Sequence, residues 1–108
     1  MAKFMAIFTG KPGGARPDEA TIAKGMSAWR EWMTRHADRI VETGGPLGKT
    51  KKVSASGIED IRNLMSAFVI VRAPSHEAAA RMFEGHPSFT IFPGDAVEIM
   101  PVLPIPGG

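Results

Sequence analysis

Two segments of this chain are apolar at every other position in both registers, and they restrict the fold more than any other feature. In Phe4-Met5-Ala6-Ile7-Phe8, the side chains of Phe4, Ala6 and Phe8 share one parity and those of Met5 and Ile7 the other. Met65-Ser66-Ala67-Phe68-Val69-Ile70-Val71 repeats the pattern. Successive side chains of a strand point to opposite faces, so a strand apolar on both has no face to give to water and belongs in the middle of a sheet. Both segments are expected as central strands, and the remaining chain must supply edges and cover.

The rest of the sequence reads around these two strands. Gly10 to Pro17 is a loop by its glycine and proline content, and Asp18 offers an N-cap to a long helix. Ile22, Met26, Trp29, Met33, Ala37 and Ile40 recur at steps of three or four and predict one buried stripe. Gly44-Gly45-Pro46 is expected to end that helix, and Leu47 to Ser54 to follow as a half-exposed edge strand with its connection through Ser56 to Asp60. Pro74-Ser75 caps a second, shorter helix carrying Ala79, Met82 and Phe83 inward, and Gly85-His86-Pro87 stops it. After a loop through Phe89, Phe92 and Pro93-Gly94, Ala96 to Met100 alternates as a strand, and Pro101 to Pro106 leaves as an extended tail. The order is βαββαβ, an α+β ferredoxin-like arrangement in which the first and third strands are central. Two helices cover one face of such a sheet. The other would expose more apolar surface than soluble monomers usually carry, so the expected partner is a second copy in a twofold homodimer.

Composition narrows the class further. A chain of 108 residues with 44% hydrophobic and 22% charged residues fits one globular domain spanning 1–108. Without cysteine there are no disulfides and no thiolate chemistry, which fits a reducing compartment, and a cytoplasmic location is expected. The apolar run at the N-terminus is too short for a signal peptide, and no stretch reaches the roughly 20 apolar residues of a membrane span. The net charge of +2 is interspersed along the chain, so neither nucleic acid nor membrane is an expected partner. Lys49, Lys51 and Lys52 form the one dense basic stretch. They read as lysines that block unwanted pairing at a sheet edge, with a phosphate or acidic-ligand contact as the alternative.

Few motifs carry chemistry. Thr43 to Thr50 nearly spells a phosphate loop, but a helix precedes it and a strand follows, the reverse of what aims backbone amides at phosphates. His36, His76 and His86 show no metal-ligand spacing, and no metal or cofactor is expected. His76 falls in the first turn of the second helix as an exposed residue. Trp29, Trp32 and His36 lie along one flank of the first helix, either as boundary residues over the core or as one wall of a pocket for a small molecule. His86 sits on a fixed turn near strand ends, where it reads either as a general acid/base with an ordinary pKa near 6.5 or as a helix-terminal histidine facing the dipole. No serine is tied to a histidine and a carboxylate by spacing. Of the carboxylates that could approach a cleft, Asp60, Asp95 and Glu98, the second reads as a turn residue and the third as a solvent-facing strand residue.

Taken together, Trp29-Arg30-Glu31-Trp32-Met33, Gly44-Gly45, the strand from Met65 to Val71, Ser75 to Ala79, Gly85-His86-Pro87 and Val97 to Pro101 resemble the YCII-related proteins, especially the DGPF branch, over nearly the whole chain. The resemblance implies a dimeric α+β barrel with a cleft. In the YCII branch a first-helix histidine pairs with an aspartate, but Trp32 and Met33 stand in that neighbourhood here. The D-G-P-F tetrapeptide is also absent between Ser56 and Ile61. What carries over is the cleft, with Trp29, Trp32 and His86 at matching positions. Two functions are compatible with it. One is a small-molecule-binding dimer, catalytic through His86 if it is an enzyme; the other is a non-catalytic accessory module of the sigma-factor-associated type.

Overall fold

A computed structural model of the chain describes residues 1–13 and 16–107. Strand β1 (Ala2–Gly10) and strand β5 (Met65–Ala73) pair antiparallel at the centre of a four-stranded sheet, with Phe4 opposite Val71 and Ala6 opposite Val69. Strand β2 (Ile40–Pro46) flanks β5 and strand β6 (Gly94–Pro101) flanks β1, giving the order β2-β5-β1-β6. Every neighbouring pair is antiparallel. The two segments apolar on both faces thus hold the centre, as expected, and the sheet has the ferredoxin-like order.

Helix α1 (Glu19–Arg35) starts on Asp18, whose carboxylate accepts the Thr21 N–H at 2.7 Å. The short helix α2 (His76–Arg81) is capped by Ser75, and helix α3 (Pro87–Thr90) by His86. The loop expected from Gly10 to Pro17 precedes α1; its Gly14 and Ala15 lie outside the described residues. Helices α1 and α2 lie on one side of the sheet. Against them pack Phe4, Ala6 and Phe8 of β1 and Val69, Val71 and Ala73 of β5, with Trp32, Ala79 and Phe83 supplied from the helical side. Met5, Ile7, Phe68 and Ile70 fall on the opposite, helix-free face, where Met100 of β6 lies opposite Met5.

The second edge strand is not where the sequence placed it. Leu47 to Ser54 is no part of the main sheet, and the first helix does not run on to Gly44. It stops at Arg35, a 3-10 turn follows over Ala37–Arg39, and β2 begins at Ile40. Ile40 continues the helical spacing by coincidence, since its apolar contact comes from the sheet, opposite Val71. Gly44 and Gly45 are strand residues at an irregularity in the β2–β5 register, where Gly44 has φ +63° and its N–H is held by the Glu42 carboxylate at 3.1 Å. The intended connection from Ser56 to Asp60 is itself a strand. Strands β3 (Thr50–Ser54) and β4 (Gly57–Ile61) form a separate two-stranded hairpin with the opposed pairs Val53/Ile58, Lys52/Glu59 and Lys51/Asp60.

An added Cβ at Gly44 would run into the Phe68 carbonyl, and the left-handed backbone there disfavours any side chain. Gly44→Ala is therefore expected to cost about 2 kcal/mol or more. Urea unfolding measures it, and an unchanged midpoint would show that β2 is free to shift away from β5.

Candidate functional site

Aromatic rings from distant parts of the chain meet where β1 ends and β5 begins. Phe8 comes from β1, Trp29 and Trp32 from α1, Phe83 from just beyond α2, His86 from the start of α3 and Phe92 from the loop before β6. The Phe8 and Trp29 centroids are 5.0 Å apart, Trp32 and Phe83 4.9 Å, and Trp29 and Phe92 6.1 Å. Trp32 is 1% exposed, and its indole N–H donates to the Met82 carbonyl at 2.7 Å, tying α1 to the end of α2. Its neighbour Trp29 is half-buried.

His86 is enclosed by this cluster, its ring 4.6 Å from Trp29, 4.9 Å from Trp32 and 4.9 Å from Phe8. It caps the start of α3 rather than facing the end of a helix, which removes the dipole reading of this residue. Nδ1 accepts the Ser88 backbone N–H at 3.0 Å, and the Ser88 hydroxyl lies 3.0 Å from the same atom. Accepting at Nδ1 leaves the proton of the neutral ring on Nε2. That atom is buried and without a hydrogen-bond partner among the described residues, and the surrounding rings offer at most weak N–H···π contacts. Burial, and secondarily the charge of His36, push the His86 pKa down to about 4. At neutral pH the ring is uncharged, a fixed donor and a poor base, far from the ordinary value that suggested acid/base work.

Beside the cluster lies a cavity of about 440 Å³, within the usual range of small-molecule sites. Phe8, Met26, Trp29, Trp32 and Met33 wall one side and Ala67, Phe68 and Val69 of β5 another, while Thr43, Gly45 and Pro46 contribute the margin of β2. Ser88 and the segment Phe92-Pro93-Gly94 also line it. Phe92 reaches this place because Gly25 of α1 has no side chain; a Cβ there would strike the Phe92 ring. Among the described residues no charged side chain lines the cavity, and its hydroxyls are those of Thr9, Thr43, Ser66 and Ser88. Thr9 and Ser66 already donate to the Ala96 and Phe8 carbonyls, at 3.3 and 3.1 Å.

Of the residues singled out from the sequence, Trp29 and Trp32 are in the wall. His86 stands behind it, joined to the cavity through Ser88. His36 caps the end of α1 with its ring 4.8 Å from Trp32 and does not line the cavity. His76 is exposed but engaged, stacked on Phe4 and with Nε2 2.8 Å from the Ile99 carbonyl. Asp60 is away on the hairpin, 2.7 Å from the Lys51 ammonium. Asp95 and Glu98 are exposed, and Glu98 points to the helix-free side. Sequence reasoning missed Phe8, Ser88 and Phe92 as site residues. Nothing in their local spacing marks them, because they meet only through the sheet and the α3 turn.

No protein-family model and no curated protein matches the chain. Solved structures do, among them the 5-chloro-2-hydroxyhydroquinone dehydrochlorinase of Burkholderia phenoliruptrix in complex with 2,5-dihydroxybenzoquinone, at 17% identity and a TM-score of 0.57, covering 91% of this chain and 90% of that one. The chain has a ferredoxin-like α+β fold. At this identity the likeness speaks for the fold alone. Among the described residues, no helix is long and apolar enough to cross a membrane.

Proposed function

We propose that this chain binds a flat, largely apolar small molecule in the cavity between α1 and the sheet, and that it does so as a homodimer related to the YCII and DGPF proteins. The observation that carries the reading is the cavity itself: about 440 Å³, walled by both tryptophans and, among the described residues, free of charged side chains. Burying ring surface there gains the hydrophobic term, and the aromatic wall favours planar partners by stacking and edge contacts. In support of the homodimer, Met5, Ile7, Phe68 and Ile70 form an apolar patch on the face that no helix covers. The chain is also loosely gathered, with a radius of gyration of 15.5 Å against about 13 Å for a compact domain of this length.

Binding without catalysis is the simpler form of this reading, since the cavity's own polar groups are hydroxyls. An enzymatic form would use His86 through Ser88, the hydroxyl that touches both the ring and the cavity.

The chain has no tyrosine and its two tryptophans both line the cavity, so its intrinsic fluorescence reports on the site directly. Titration with naphthalenemethanol, naphthoate and dihydroxybenzoquinone is expected to give saturable quenching with at least one of them, and Trp29→Ala to weaken that binding about tenfold. If none binds saturably, the cavity reading is wrong.

A further inference from the structure

Next to the cavity, at the base of the hairpin, lies an open groove lined by Lys49, Lys51, Asp60, Arg62 and Asn63. Its margins continue those of the cavity. Pro46 lines the cavity and Gly48 the groove on one side, Ser66 the cavity and Met65 the groove on the other, and the Leu47 N–H donates to the Ser66 carbonyl at 2.9 Å between them. Charge is distributed unevenly along the hairpin. Within its ladder each lysine has a carboxylate opposite, Lys51 with Asp60 at 2.7 Å and Lys52 with Glu59 at 3.8 Å. Lys49 and Arg62 stand just outside the ladder, one on each leg, and neither has an ion pair among the described residues. Among the described residues Asp60 is the one carboxylate lining the groove, and Lys51 already holds it.

We infer that the ligand is an amphipathic anion, its flat apolar part in the cavity and its carboxylate or comparable acidic group in the groove between Lys49 and Arg62. This inference rests on the cavity reading above. A charge inside the cavity would lose its hydration and find no partner, whereas an anion at the groove keeps water contact and meets two unpaired cations. The ring system and the acidic group are therefore recognised in separate, adjoining places.

Calorimetric titration with naphthoate and with naphthalenemethanol compares the same rings with and without the charge. Naphthoate is expected to bind at least about tenfold more tightly than the alcohol, in line with charge pairs near a protein surface. The double variant Lys49→Gln/Arg62→Gln is expected to bring the acid down to the level of the alcohol while leaving the alcohol unchanged. Raising salt from about 0.05 to about 0.5 M should weaken the acid selectively. Equal binding of acid and alcohol, or a double variant that binds naphthoate as the parent does, overturns the anionic assignment and leaves the cavity reading standing. Should neither naphthalene compound bind, the anionic assignment falls, and the cavity reading falls with it if dihydroxybenzoquinone also fails to bind. Lys49 and Arg62 are exposed, so circular dichroism of the double variant is expected to match the parent, separating lost recognition from lost fold.

Discussion

Trp32→Ala is expected to lower stability by about 3–5 kcal/mol, the range for truncating a large aromatic residue in a packed core. The side chain is 1% exposed and packs on Phe83, His36 and His86 at centroid distances of 4.9, 4.8 and 4.9 Å. Its removal also strips the Met82 carbonyl of the indole N–H that reaches it at 2.7 Å. An acceptor left dry costs more than the hydrogen bond gained when it is satisfied. Small domains have only about 5–15 kcal/mol in hand, so the variant should melt about 15–30 °C below the parent and be partly unfolded at room temperature. Circular dichroism on heating checks this. A loss under about 1 kcal/mol would mean that the space collapses freely and that α1 does not depend on this contact. Trp29→Ala should cost clearly less, because Trp29 is half-buried and its main neighbour is the cavity.

The second large effect is a loss of stability in mild acid. His86 in the folded chain is protonated only near pH 4, whereas in the unfolded chain it takes up a proton near 6.5. Above 6.5 the ring is neutral in both states and imposes no penalty. As pH falls below 6.5 the unfolded chain alone binds the proton, so folding weakens with every step until about pH 4, where the native ring titrates too and the loss levels off. The full window corresponds to about 3 kcal/mol. Asn at the cap position can still accept the Ser88 N–H but cannot ionise. His86→Asn should therefore show a decline in unfolding free energy between pH 6.5 and 4 that is smaller by about 3 kcal/mol. Equal slopes for the two proteins would mean that the His86 ring is protonated or hydrated in the native state after all.

What was legible from the residues follows the range of the forces involved. Phe4 to Phe8 and Met65 to Val71 were readable as central strands because burial on both faces is written into a period of two. Asp18 and Ser75 were readable as caps because the bond each makes spans only three residues. The region from His36 to Ile61 was misread, since Ala37 and Ile40 fit a helix by spacing while Ile40 and its neighbours gain more by pairing with β5. A signal for the hairpin was present in Lys51, Lys52 and Val53 set against Ile58, Glu59 and Asp60, opposite charges and matched apolar residues about a two-residue turn.

By itself the sequence determined which two strands hold the centre and the single face that helices cover, and it offered Trp29, Trp32 and His36 either as core boundary or as pocket wall. Each of these depends on periodicity or on bonds between near neighbours. Only the tertiary structure decided that both tryptophans meet at the cavity wall, Trp32 buried and Trp29 half-buried, that His86 is a shielded neutral donor, and that Lys49 and Arg62, without an ion pair among the described residues, line a groove beside the cavity. Those outcomes depend on desolvation and on which distant segments come together. Phe8, Trp32 and His86 are remote in the chain, and the pKa of one is set by the packing of the others, a property that no local spacing contains.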